Sequence, residues 1–180
     1  AARAAAGIGA QPTAAGPLVI SRAVSFPATD IAGHCVPQTG LVQIPPGRPP
    51  AGGWPFVTYG HMTTGGCDWA APSQGTPAHP EWRRMSQGDA LCKALVANGV
   101  VVLRPDYEGI GSPGVHPYLI GDSLASSVIA MVRARHDLVD GIGDRWVSAG
   151  HSEGAVAALF AAQADRARPD DANLLGVSAF

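Results

Sequence analysis

Charge is scarce in this chain: Asp, Glu, Lys and Arg make up 14% of its 180 residues, and the net charge is −2. With so few basic residues, and none gathered into a stripe, the sequence carries no electrostatic footprint for a nucleic-acid backbone. An apolar run of about 18 residues, the length that spans a bilayer, is also missing. Cysteine is rare. Cys35, Cys67 and Cys92 show no C-x-x-C spacing, so a zinc site has no support, and no other motif implies a metal or an organic cofactor. Their odd number leaves two readings open. Either one disulfide forms in an oxidising compartment with a thiol left over, or all three are small buried hydrophobes.

A length of 180 residues suits one domain with a sizeable core. Residues 1–17 are small, alanine-rich and unpatterned, and read as a disordered tail or the remnant of a secretory signal. The domain is expected over 18–180, without internal repeats. Strands are expected at Leu18–Phe26, Gly40–Ile44 and Phe56–Tyr59, and then a polar Gly/Pro-rich loop from His61 to about Pro80. Met85, Leu91, Leu95 and Val96 predict a helix over Glu81–Asn98, stopped by Gly99. The β-branched run Val100–Leu103 suits a central parallel strand. A second Gly/Pro loop covers Tyr107–Pro117. Ile120, Leu124, Val128 and Val132 place a helix over about Leu119–Val139. A strand over Asp144–Gly150, a helix from Ser152 and a strand at Leu174–Phe180 complete the order, with Pro169 beyond the last helix. From Phe56 onward strands and helices alternate, which predicts an α/β fold with a parallel sheet covered by helices on both faces.

Gly150-His151-Ser152-Glu153-Gly154 stands between that fifth strand and its helix. Strand, glycine-framed serine, helix is the order of a G-x-S-x-G nucleophile elbow, which holds a serine exposed at the end of an α/β-hydrolase sheet. The glycines have a physical reason: the turn is so tight that a β-carbon at either flank meets neighbouring backbone. The competing reading is a plain glycine-rich turn whose serine caps a helix. An acyl-transfer serine needs donors for its oxyanion. The backbone N–H of Glu153 is one candidate, and the loop Tyr59-Gly60-His61-Met62-Thr63-Thr64 supplies another through Thr63 or Thr64. In that reading His61 shapes the loop.

The base is harder to find. No histidine follows Ser152, and His151 cannot serve merely by being adjacent in sequence. His34 and His116 read as lone loop histidines, and His136 as solvent-facing on a helix. His79-Pro80-Glu81 has the H-x-E spacing of zinc deaminases but lacks the P-C-x-x-C half. Gly109-Ile110-Gly111-Ser112-Pro113-Gly114 matches the dinucleotide pattern G-x-G-x-x-G, yet Pro113 and Pro117 prevent a helix from starting there, and Asp137 and Asp140 lie at a helix end.

Four segments, GLVQIPPGRPPAGGWP, GHMTTGGCDWAAPS, VVVLRPDYEGIGSPGVHPYLIG and GHSEGAVAALFAAQ, together resemble the secretory lipase family, the lipase-A-like α/β-hydrolases. The likeness runs from about Gly40 to the end. It implies an α/β-hydrolase fold, a secreted carboxylester hydrolase with no cofactor, an acyl-enzyme on Ser152, an oxyanion segment at Thr63 and Thr64, and a site shaped by Asp106 and Tyr107. Its implied partners are small-molecule or lipid esters, with contact at a lipid interface. Met62 stands where relatives carry glycine. Ala70 stands where they carry cysteine, which implies that a family disulfide is absent or rerouted through Cys67. Relatives continue through further strands, a cap, and the Asp and His of the triad. Asp165, Asp170 and Asp171 follow Ser152 too closely to be that acid. The chain therefore reads as the N-terminal portion of such an enzyme, with little turnover alone and an exposed edge at Leu174–Phe180. A hydrolase-like module without catalysis, and a peptidase or acyltransferase on the same fold, are the alternatives.

Overall fold

The computed structural model describes residues 20–167 and 172–180, the side chains of 166 and 167 excepted. Residues 1–17, the strand start at Leu18, and Pro169, Asp170 and Asp171 lie outside the described residues. Six strands form one sheet: β1 (Ile20–Thr29), β2 (Cys35–Ile44), β3 (Trp54–Gly60), β4 (Val101–Pro105), β5 (Ile142–Gly150) and β6 (Asn173–Ala179). Their spatial order is β1-β2-β4-β3-β5-β6. β1, β2 and β4 pair antiparallel, whereas β4, β3, β5 and β6 run parallel. The expected parallel sheet is thus present, with an antiparallel hairpin added at one edge.

Both faces of the sheet are covered. α3 (Gly121–Arg133) and α5 (Glu153–Ala167) lie on one side, and α2 (Asp89–Ala97) on the other. The strands show which side chain goes where. Phe56, Val101, Leu103 and Trp146 join Leu124, Val128, Met131, Ala157 and Ala161 in one core. The alternate residues Val57, Tyr59 and Val102 join Cys92 and Val96 in a second. Strands buried on both faces need continuous apolar sequence, and β4 supplies it. No helix among the described residues is long and apolar enough to cross a membrane.

Three elements differ most from the sequence reading. The helix expected over 81–98 is broken into α1 (Trp82–Met85) and α2. Gly88 separates them at φ 91°, and a β-carbon there would strike the ring of Tyr59, 2.6 Å from Cε1. The helix expected over 119–139 starts at Gly121, because Leu119 takes φ 59°, and it yields at Ala134 to the short α4 (Arg135–Leu138). β2 begins at Cys35, five residues before the expected start, in spite of Pro37. Only Gly40 to Gln43 pair with β4, so the outer side of Pro37 owes no donor to a neighbour.

Candidate active site

The parallel strands end together, and the loops that leave them form one surface. Gly60 of β3 is in register with Gly150 of β5. The loop after β3 therefore leaves the sheet beside the serine turn, and the N–H of His151 donates to the carbonyl of Gly60 at 3.2 Å. Ser152 sits between β5 and α5 at φ 57°, a left-handed conformation that costs a non-glycine residue about 1–2 kcal/mol. Its side chain is exposed. The turn is held by a bond from the Ser152 N–H to the carbonyl of Phe180, 2.8 Å, and by one from the Phe180 N–H to Gly150, 3.1 Å. Beneath it the backbones of Gly60, Gly150 and Gly154 touch. A β-carbon on Gly60 would lie 2.8 Å from the Cα of Gly154, and one on Gly150 or Gly154 would overlap a carbonyl outright.

Glu153 opens α5, and no backbone acceptor among the described residues takes its N–H, as expected for the first turn of a helix. On the facing loop Thr63 is half-buried, and its hydroxyl donates to the Tyr118 hydroxyl at 3.3 Å. Thr64 is buried, and its hydroxyl has no partner among the described residues. His61, at the root of this loop, is buried. Its Nδ1 donates to the carbonyl of Met62 at 2.7 Å, while Nε2 faces the carbonyl of Asp106 at 3.3 Å. Burial holds the imidazole below its ordinary pKa, against opposing pulls from the Met62 carbonyl and from Asp106.

Tyr107 leaves β4 at φ 76°, fully buried. Its ring stacks on His61 with centroids 4.4 Å apart, and its hydroxyl donates to the His61 carbonyl at 3.0 Å. The strained backbone thus aims a phenol at the base of the threonine loop. Asp106 anchors a different pair of segments. Its carboxylate accepts the Thr39 hydroxyl at 2.8 Å and the Ser73 N–H at 2.9 Å, tying β2 to the 3₁₀ turn Pro72–Gln74. Burial pushes its pKa up, against these hydrogen bonds and the nearby His61. Behind it, buried Arg104 pairs with Asp89 at 2.6 Å and lies over the Tyr59 ring. His61, Asp106 and Tyr107 are therefore contiguous with one another and with the threonine loop.

Sequence reasoning missed one part of this region. His116 is buried, not a lone loop residue, and its Nε2 lies 2.7 Å from Oε1 of Glu153. Its Nδ1 faces the carbonyl of Glu108 at 2.9 Å. Burial lowers the pKa of His116, but the hydrogen bonds to Glu153 and Glu108 and their charges outweigh that and raise it. A signal was available: Glu153 falls on the same helical face as buried Ala157 and Ala161, and an acid on a buried face requires a partner.

No histidine reaches the Ser152 hydroxyl among the described residues. His34 bonds to Asp30, His79 accepts the Glu81 N–H and packs on Trp69, and His151 stacks on Phe180 with centroids 5.6 Å apart. His136 is exposed and lies 3.5 Å from Asp144. Among the described residues no cluster of three metal-ligating side chains occurs. The G-x-G-x-x-G segment is a folded-back loop: a β-carbon on Gly109 would meet the Cα of His116 at 2.9 Å, and α3 starts only at Gly121. All three cysteines are free. Only Cys92 is buried, its thiol pushed up to about 11 by that burial, while Cys35 and Cys67 are exposed.

The strand order and the serine turn at the end of β5 define an α/β-hydrolase fold. No protein-family model matches the sequence, and no curated protein matches it. Solved structures do. Lipase A of Candida antarctica in its closed state superposes with a TM-score of 0.75 at 19% identity, over 89% of this chain and 37% of its own. The rice cell wall degrading esterase LipA of Xanthomonas oryzae gives a TM-score of 0.69 at 26% identity, over 88% and 41%. A putative hydrolase of Legionella pneumophila gives 0.67 at 23%, over 91% and 44%. The chain thus spans about two fifths of the length of these structures. The resemblance to lipase-A-like α/β-hydrolases is present in the fold as well as in the sequence segments.

Proposed function

We propose that this chain is the nucleophile-bearing part of a serine carboxylester hydrolase of the lipase or esterase kind. The observation that carries this reading is Ser152, exposed at φ 57° on a turn that only glycines can frame. Its hydroxyl oxygen attacks the ester carbonyl, and the N–H of Glu153, with Thr63 or Thr64, receives the oxyanion. The alcohol leaves with a proton and an acyl-enzyme remains. Water then releases the acid and restores Ser152. Asp106, Tyr107 and His61 shape the threonine loop. The general base and its acid are supplied from outside the described residues, since all six histidines are otherwise placed. A lipid interface fits the exposed apolar side chains Val115, Tyr118, Leu119 and Ile120 on the loop before α3. Action outside the cytoplasm fits the likeness to an esterase that degrades plant cell wall.

A second reading, a module without catalysis, is favoured by the lack of any base contact to Ser152 among the described residues. A fluorophosphonate probe separates the two when applied to the protein expressed from its complete gene. Labelling that disappears in S152A supports the hydrolase. Absence of labelling sinks it.

A further inference from the structure

We propose that His116 is a positioning residue that holds the nucleophile turn through Glu153, by a proton the two side chains share. The catalytic meaning of this clamp rests on the proposed role of Ser152, whereas the clamp itself is a structural claim.

The geometry leaves little choice about the proton. Nδ1 of His116 lies 2.9 Å from the Glu108 carbonyl, which can only accept, so Nδ1 carries a hydrogen. Nε2 then faces a carboxylate oxygen at 2.7 Å. A neutral imidazole with a charged carboxylate would set two lone pairs against each other at that distance. One further proton must lie between them. Both side chains are almost wholly shielded, at 2% and 0% exposure, and Oε2 of Glu153 has no other partner among the described residues. The anion of Glu153 therefore depends on His116.

His116 is itself braced. The Glu108 carboxylate accepts the Ile31 N–H at 3.2 Å and the Ser123 hydroxyl, which fixes the far end of the loop to α3 and to the β1–β2 turn. Gly109 lets the loop fold back onto His116 without a gap. The titratable groups around His116 are Glu153 from α5 and Glu108, Tyr107 and Tyr118 from its own loop; α3 contributes the neutral hydroxyl of Ser123, bonded to Glu108. Glu153 follows Ser152 directly and opens α5, so the clamp grips the same residue whose N–H is proposed to receive the oxyanion, and its loss frees the first turn of that helix to shift.

The sign follows from a raised pKa. The folded state binds the shared proton more tightly than the unfolded chain, so the clamp is complete below the ordinary histidine value of 6.5 and is lost as pH rises through the folded value. In E153Q the side-chain amide donates to a neutral Nε2, and Nδ1 still donates to Glu108. The pair then stays closed without a shared proton.

Amide hydrogen exchange at the hydrogen-bonded amides of Ser152, Gly154 and Ala155 tests this on the whole chain, after correction for the intrinsic effect of pH. The wild-type amides should lose protection above the His116 midpoint by up to about tenfold per pH unit, the limit for one linked proton. E153Q should stay flat over that range, and the His116 imidazole should titrate lower in E153Q by nitrogen NMR. Wild-type elbow amides that lose no more protection than those of α2 would overturn the clamp, even if E153Q fails to fold. So would an E153Q profile parallel to wild type. Fluorophosphonate labelling of Ser152 should show the same alkaline decline, relative to E153Q. Labelling indifferent to pH while protection falls would overturn the positioning role but not the nucleophile. Absence of labelling at every pH would sink the nucleophile reading and leave the clamp to be decided by exchange.

Discussion

Gly60 and Gly154, on different strands' exits, are in backbone contact, the Cα of Gly60 lying 2.9 Å from where a β-carbon on Gly154 would stand. No side-chain rotation relieves such a contact, because both partners are main chain. G154A is expected to destabilise the protein by about 3 kcal/mol or more, at the upper end for overpacking. The urea midpoint measures it, and a loss under 1 kcal/mol would show that the strands part easily.

Ser152 stores strain in the opposite sense. Its φ of 57° is free for glycine and costs a β-carbon about 1 kcal/mol or more. S152G should therefore be more stable than S152A by roughly 0.5 kcal/mol or more, after the extra unfolded-chain entropy of glycine is subtracted. Chemical denaturation of the pair decides this, and equal stabilities would contradict the left-handed turn.

Tyr107 links strain to the threonine loop. Y107F removes one buried hydrogen bond, to the His61 carbonyl, and is expected to cost about 1 kcal/mol in stability. If the loop receives the oxyanion, labelling of Ser152 should slow severalfold more than that loss explains. A labelling rate unchanged from wild type would detach Tyr107 from the site.

Asp89 is a quarter exposed while its partner Arg104 is buried. D89N leaves a buried guanidinium with the Met85 carbonyl and the Tyr59 ring. Partial solvent access at Asp89 reduces the cost of breaking a buried pair to about 2 kcal/mol. A melting temperature within a degree of wild type would refute the pairing.

Acid should destabilise the protein through His61. Burial lowers its pKa, so the unfolded chain binds a proton that the folded ring refuses. Stability contributed by neutral His61 is full above the unfolded value of 6.5 and falls as pH drops toward the folded value. H61Q should flatten the acid limb of a plot of melting temperature against pH below 6.5. An unaltered limb would mean that the ring is protonated in place.

The serine turn was legible because its requirements are local: a strand, a helix and two glycines lie within a few positions of Ser152. The alternation of β3 to β6 was legible for a similar reason, since both faces of a parallel strand leave continuous apolar runs. What escaped were pairings set by distant backbone. Gly88 looked like an interior helix residue until the Tyr59 ring was seen to occupy its side-chain space. His116 carried no local pattern, for its meaning comes from an acid on another element. The placement of His61 beside Asp106 and Tyr107 likewise depends on β3 and β4 pairing, which spacing along the chain does not reveal.

The serine turn is tied to strands that arrive from far along the chain. Thr58 and Ser148, whose hydroxyls meet at 3.4 Å just below it, are 90 positions apart. Closing so long a loop comes at an entropic cost and is slow compared with forming a helix. The left-handed turn at Ser152 therefore rests on strand pairings that are slow to close. A chain in which β3 and β5 have not yet paired lacks the frame that holds this serine at φ 57°.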